Sequence, residues 1–273
     1  MSPNDLSRTA IRLLLSTFVV LFLVESPVTG ESNPPAPGFN AADSDARAIE
    51  IADQVMAAMG GRQAWDDTRY LTWNFFGRRR HLWDKLTGDV RVEGITRESE
   101  QPFLILMNIH TREGRAWLDG ELLDDPEALA EMLDYGEAVW INDGYWIFMP
   151  YKLKDSGVTL RDLGERPMLD GRPADVLQLT FEEVGRTPEN KYLVYVSRES
   201  GLVEQWDFFS EAANPEPRFQ NPWANWQRYG AILLSDSRGE GGHTDIAVFT
   251  DLPPTIFTDP APVDWGTLLA GGD

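Results

Sequence analysis

The sequence predicts an α+β fold, mainly antiparallel β, in which a strongly curved half-barrel sheet has about ten strands. Short strand patterns follow one another closely between residues 69 and 252. They do not alternate with helices, which disfavours a parallel doubly wound sheet. An N-terminal helix and a helical insertion are the only clear helical patterns, and we expect both to cover the concave face of the sheet.

Residues 1–30 have the pattern of a secretory signal peptide. Arg8 and Arg12 precede an apolar run of twelve residues from Leu13 to Val24, and a small residue, Gly30, follows. Twelve residues form about 18 Å of helix, which is short of the ~30 Å hydrocarbon core of a bilayer. We therefore predict cleavage after Gly30, a periplasmic location and no membrane span in the mature chain. An uncleaved anchor is the alternative.

The composition excludes several classes of function. The 273-residue chain has a formal net charge of −20, which repels nucleic acid and anionic lipid surfaces. It contains no cysteine, so disulfides, thiolate nucleophiles and a lipid-modified N-terminal cysteine are absent. Ten tryptophans and a hydrophobic content of 42% support a sizeable core.

The composition also divides the chain. Residues 31–42 are rich in proline, glycine and asparagine and are predicted to be a linker. Residues 43–253 contain no internal boundary and form one predicted domain, followed by an irregular C-terminal tail at 254–273.

The first helix is predicted over about 44–59. Its apolar residues recur at spacings of three and four, and Gly60-Gly61 supplies the C-cap. The members of this apolar stripe are Ile49, Ala52, Met56 and Met59.

The second helix is predicted to begin at Asp125, because Asp at the N-cap followed by Pro126 is a typical helix start. The turn-forming pair Asp143-Gly144 predicts its end. The apolar stretch Tyr145–Leu153 follows, and Pro150 within it cannot donate to a strand ladder. We therefore expect a buried segment that leads from the helix back into the sheet.

Several predicted strands are apolar on both faces, among them 102–110, 191–196 and 202–209. A sheet with one solvated face alternates apolar and polar residues, so something must cover the second face. Helices and loops can fill that space, or part of it can remain as an apolar groove for a ligand. The last two strands are expected to pair across Glu240–Gly242.

No catalytic or metal-binding motif appears. The three histidines, His81, His110 and His243, lack metal-ligand spacing, and there is no Gly-x-Ser-x-Gly elbow. We predict no catalytic residue, no metal and no cofactor. The basic run at 78–81 is either a solvated strand edge or an anion contact at a groove mouth.

Three segments together resemble an uncharacterised family of exported bacterial proteins that is grouped with the LolA/LolB-type periplasmic lipoprotein carriers. They are Met59-Gly60-Gly61 with Trp65, the Tyr145–Leu153 run, and Asp155–Val158. The resemblance spans about residues 45–253. It implies a half-open antiparallel barrel, with helices as a lid over an apolar cavity that shields acyl chains.

The resulting interpretation is an exported, non-enzymatic binding protein that sequesters a lipid, acyl chain or lipoprotein. Two alternatives are a structural or partner-binding envelope module with a filled barrel, and a hydrolase that uses carboxylates with His81 or His243. Ligand, partner proteins and oligomeric state stay open. The predicted apolar lining is Trp73, Phe75, Phe103, Met107, Trp146, Phe148 and Trp206, with possible anion contacts at Arg79, His81 and Lys152.

Overall fold

The computed structural model describes residues 33–97 and 99–272. The predicted signal peptide and its cleavage after Gly30 lie outside these residues. The described chain is α+β, with four α-helices and fourteen strands, and all strand pairings are antiparallel.

The elements follow the order that the sequence predicts, with α2, β6, β11 and α4 as additions and with the one strand expected over 223–239 divided into two, β12 and β13. The helices are α1 (Ala46–Ala58), α2 (Arg62–Asp67), α3 (Pro126–Phe148) and α4 (Trp265–Ala270). Before α3 lie β1 (Tyr70–Phe75), β2 (Arg79–Asp84), β3 (Asp89–Ile95), β4 (Pro102–Asn108), β5 (Gly114–Leu118) and β6 (Glu121–Leu122). After it lie β7 (Val158–Pro167), β8 (Pro173–Phe181), β9 (Lys191–Ser197), β10 (Val203–Phe209), β11 (Phe219–Pro222), β12 (Ala224–Tyr229), β13 (Ile232–Ser237) and β14 (His243–Phe249). Short 3-10 helices span Ala41–Asp43, Met149–Lys152 and Pro254–Phe257.

The strands form two main sheets and a separate hairpin. The order is β14-β1-β2-β3-β4-β5-β6 in the seven-stranded sheet and β11-β10-β9-β8-β7 in the five-stranded sheet, and β12 pairs with β13. The antiparallel α+β class is therefore as predicted, but one continuous sheet of about ten strands is not what forms. The reason is α3, whose 23 residues extend for about 34 Å between β6 and β7.

The last strand takes a different partner from the predicted one. An isolated bridge links Ser237, the last residue of β13, to Gly242, the residue before β14. Instead, β14 pairs with β1, so that Ala247 and Phe249 extend an apolar face that Tyr70 begins. β13 pairs with β12 through the turn at Gly230.

The second face of the seven-stranded sheet is covered by the C-terminal segment. This segment was predicted to be irregular, yet it contains α4 and packs Phe257 and Trp265 against Tyr70 and Leu82. Arg91 of β3, which is 1% exposed, holds the C-terminal segment against the sheet. Its guanidinium donates to the carbonyls of Ile256 at 3.2 Å, Asp259 at 2.9 Å and Ala261 at 3.0 Å.

The central helix α3 is longer than its sequence indicates. It does not end at Asp143-Gly144 but continues to Phe148, so the first part of the apolar stretch is helical. The Asp143 side chain is buried and paired in the tertiary structure rather than used in a turn. Pro150 follows directly in a 3-10 helix, where its missing N–H ends the α-helical ladder.

The end of α1 is predicted correctly, and its first glycine has two roles. Gly60 has a φ of +115°, a conformation that side-chain-bearing residues rarely adopt. A Cβ there would lie 2.4 Å from the backbone oxygen of Ala231, in the β12–β13 turn. Gly60 therefore lets the end of α1 approach this hairpin closely.

We expect Gly60→Ala to lower the free energy of unfolding by about 3 kcal/mol or more, because backbone strain and overpacking add. Gly171→Ala is the matched control, since its φ is +85° and no atom lies within 4 Å of the added Cβ. It should cost only about 1–2 kcal/mol. Urea denaturation of both variants measures the difference, and equal losses would contradict the close approach.

Candidate functional site

A cavity of about 830 Å³ lies between α3 and the five-stranded sheet. This volume is in the range of roughly 300–1,000 Å³ that ligand pockets occupy. All five strands of the sheet contribute to the wall, and α2, β2, α3, the 3-10 helix Met149–Lys152 and three loops complete it. The sheet residues are Val158, Phe181, Tyr192, Trp206, Phe208 and Phe219; the helix residues are Ala138, Trp140, Ile141, Asn142, Gly144, Tyr145, Trp146 and Phe148.

The sheet side of the cavity is a continuous aromatic wall. Strand register places Phe208 opposite both Tyr192 and Phe219, with Trp206 two residues earlier on the same face. Tyr192 stacks on Trp206 at 5.0 Å between centroids, and Phe208 stacks on Phe219 at 4.9 Å. Such pairs prefer fixed relative orientations, which makes this wall stiff.

The helix side faces this wall through Trp146, whose ring meets Trp206 edge-on at 4.9 Å. Tyr145 lies 5.3 Å from Tyr192, whereas Phe148 points to the seven-stranded sheet and meets Trp73 of β1 edge-on at 5.0 Å. The helix is thus joined to the sheet at some aromatic contacts and separated from it at others. The cavity is the space between those contacts.

A buried ion pair holds α3 against the seven-stranded sheet. Arg79 donates from Nε to Asp143 Oδ2 at 2.6 Å and from Nη2 to Oδ1 at 2.8 Å. His81 donates from Nε2 to the same carboxylate at 2.8 Å, which assigns it the Nε2–H tautomer, and Trp73 stacks on its ring. Burial opposes ionisation, but these hydrogen bonds outweigh it and keep the pKa of Asp143 below its ordinary value. Burial also lowers the pKa of His81.

One turn later, the backbone of α3 is held by the last strands. The carbonyl of Trp146 has no helical donor, because residue 150 is a proline. Arg238 donates to it from Nη2 at 2.6 Å, and His243 donates from Nε2 at 3.1 Å. Burial lowers the pKa of Arg238 to about 9 and that of His243 to about 3.

The structure places some predicted lining residues at the cavity and others elsewhere. Trp146, Phe148 and Trp206 line it. Phe103 and Met107 pack in a separate cluster with Val139 of α3. The remaining two, Trp73 and Phe75, belong to or pack against the main core without lining the cavity. A single curved sheet would bring all seven to one concave face, whereas two sheets on either side of α3 separate them.

The three predicted anion contacts lie in two different places. Arg79 and His81 do contact an anion, but it is the internal carboxylate of Asp143, so neither is at a groove mouth. Lys152 lines the cavity and forms an ion pair with Asp155. The arginines at this site, Arg186 and Arg218, carried no recognisable sequence signal.

Two further features bear on the chemistry of the site. Across residues 33–97 and 99–272, no group of three or more acidic or histidine side chains could hold a metal ion. Nor does this part of the chain contain a helix with the length and apolar character needed to cross a membrane.

Comparison with known proteins gives only distant likenesses. No family model matches the chain, and no curated protein matches it. Similar solved structures include a DUF1329 family protein from Desulfovibrio piger, with 12% identity, a TM-score of 0.40, and coverage of 77% of this chain and 96% of that one. The LolA superfamily protein NE2245 from Nitrosomonas europaea has 14% identity, a TM-score of 0.36, and coverage of 78% and 97%. The MucA/MucB complex of Pseudomonas aeruginosa has 18% identity, a TM-score of 0.25, and coverage of 77% and 68%.

A LolA superfamily protein is therefore among the structures that this chain is similar to, as the resemblance of the sequence leads one to expect. With TM-scores of 0.40 and below, these likenesses carry no argument about what the cavity binds.

His243 should make stability depend on pH. The pKa of an unfolded histidine is about 6.5, and burial lowers that of folded His243 to about 3. Between these values the unfolded chain binds the proton and the folded chain does not, so stability falls as the pH falls below 6.5. His243→Gln keeps a donor for the Trp146 carbonyl and should remove about 1.6 kcal/mol of the loss of stability between pH 6.5 and 5.

Urea denaturation at several pH values measures this loss. His110 is exposed, and His110→Gln, the control, should keep the full pH dependence of the unaltered chain. An identical pH dependence in His243→Gln would show that His243 does not contribute.

Proposed function

We propose that the chain is an exported, non-enzymatic binding protein of the cell envelope that sequesters a lipid, an acyl chain or the acyl group of a lipoprotein. In this proposal residues 1–30 are removed on export, and the binding domain at 43–253 acts in the periplasm. The observation that carries the proposal is the aromatic cavity of about 830 Å³ between α3 and the five-stranded sheet. A partly open half-barrel made by this sheet and its helical lid would be the binding unit.

The chemistry of the wall supports an apolar ligand. The indole N–H of Trp140, the indole N–H of Trp206 and the hydroxyl of Tyr145 are all buried away from open space. The atoms that these residues present to the cavity are therefore the carbon atoms of their rings. A buried chain gains about 0.8 kcal/mol per CH₂ group, so a handful of methylenes suffices for binding without an ionic contact.

The arrangement of the histidines favours binding over hydrolysis. His81 is engaged by Asp143, and His243 by the Trp146 carbonyl, and no histidine is among the lining residues. Two carboxylates line the cavity: Asp155 is paired with Lys152, and Glu189 is exposed and has no histidine beside it among the lining residues. An open cavity likewise supports a carrier more than a module with a filled interior.

Adding a bulky side chain inside the cavity should weaken binding without unfolding the protein. Ala138 lines the cavity from α3, and Ala138→Trp adds an indole into this space. We expect it to weaken binding of a fluorescent fatty acid at least about tenfold, a loss of about 1.4 kcal/mol. Fluorescence titration measures the change.

Ala130→Trp places the same indole on an exposed position of the same helix and should leave binding unchanged. Both variants should unfold at the urea midpoint of the unaltered chain. Equal affinity in the two variants would place the fatty acid outside this cavity and contradict the proposal.

A further inference from the structure

The cavity differs in charge from the rest of the chain. Its lining includes three cationic residues, Lys152, Arg186 and Arg218, and two acidic residues, Asp155 and Glu189. The excess of one positive charge belongs to a protein whose net charge is −20. Because a local charge selects ligands by charge, the charges that are left without a partner decide which ligand the cavity favours.

Two of the three cations are already paired. Lys152 is bound by Asp155. Arg186 donates from Nη2 to Asp134 and Glu137 of α3, at 2.6 Å in each case. The first pair is local, between residues three apart, whereas the second joins the loop around Arg186 to α3. Neither cation is left with an uncompensated charge.

Arg218 is the exception. Its side chain is exposed and has no ion pair, hydrogen bond or ring contact with the residues that the structure describes. Its backbone N–H donates to the carbonyl of Phe208 at 2.7 Å, which fixes the residue beside the stacked rings of Phe208 and Phe219. An unpaired guanidinium therefore lies at one end of the aromatic wall.

Lys152 and Asp155 lie near the opposite end, beside β7. Four strand spacings separate β7 from β11, a distance of about 19 Å. Because the lining residues come from all five strands, the cavity extends across this width. It thus combines a long apolar wall with one free cation at the β11 end.

We propose that Arg218 binds the anionic headgroup of an amphiphile, a carboxylate or a phosphate, while the apolar chain lies along the wall toward β7. This assignment rests on the proposed binding function and adds the class of headgroup to it. The planar guanidinium fork matches both oxyanions, which accept two parallel hydrogen bonds from it. Because Arg218 is at the rim, it selects the charge of the head, and the apolar wall supplies most of the affinity.

Glu189 gives the proposal a second, opposite prediction. It also lines the cavity, is exposed and forms no ion pair within the described part of the chain. Its carboxylate repels an anionic headgroup at the rim. Removing the Glu189 charge should therefore strengthen the binding of an anionic ligand. Removing the Arg218 charge should weaken it.

The test measures the dissociation constants of three probes that share a palmitoyl chain. Palmitate carries a carboxylate, palmitoyl lysophosphatidic acid carries a phosphate, and monopalmitoylglycerol is neutral. We expect Arg218→Gln to weaken at least one anionic probe about tenfold and Glu189→Gln to strengthen it about threefold, with the neutral probe unchanged. The anion that responds more strongly identifies the headgroup.

Arg78→Gln is the control, because Arg78 is also exposed and unpaired among the described residues but does not line the cavity. It should change none of the three constants. If Arg218→Gln affects charged and neutral probes equally, the headgroup assignment is overturned and the binding function stands. If the unaltered chain binds none of the probes, the proposed function itself fails.

Discussion

The ion pair between Asp143 and Arg79 is the interaction on which the position of α3, and with it the cavity, depends. Asp143 is fully buried, and a buried carboxylate without a partner costs several kcal/mol. The helix can therefore occupy only the position along the seven-stranded sheet at which Arg79 and His81 both reach that carboxylate. One turn later the proline-freed carbonyl of Trp146 is held by Arg238 and His243. Hydrogen bonds at two successive turns thus fix the position of α3, a helix of 23 residues.

This anchoring explains why a large apolar space stays open. Atoms that line an empty space lack dispersion contacts on that side, so elements that are free to move tend to close the space. Here the helix is fastened by polar bonds on its far side, while the opposite wall is a set of stacked rings that cannot easily bend inward. Neither side can move toward the other without breaking a buried ion pair or unstacking the aromatic wall. A ligand that fills the space supplies the missing contacts at no such cost.

The sequence predicts much of the fold and a smaller part of the site. Periodicity finds α1 and nearly every strand, and Trp206 of β10, one of the residues predicted to line a cavity, lies at the cavity wall. It fails at Asp143-Gly144, because a local pattern typical of turns cannot reveal that the carboxylate meets Arg79 about 60 residues away in the chain. Phe219 was missed because β11 has only four residues within a proline-rich stretch. The unpaired state of Arg218 is a property of the folded surface alone.

The proposed binding function requires the cavity to hold an apolar ligand in the cell. Native mass spectrometry of the full-length product, exported and purified without detergent from the periplasmic fraction of cells that express it, tests this most directly. We expect a mass above that of the chain, which falls to the bare mass when the protein is denatured and releases a lipid-sized molecule. A known lipid carrier, purified in the same way, is the control and should retain its lipid. If the control does so and this protein gives a single species at the bare mass, the proposed binding function is contradicted.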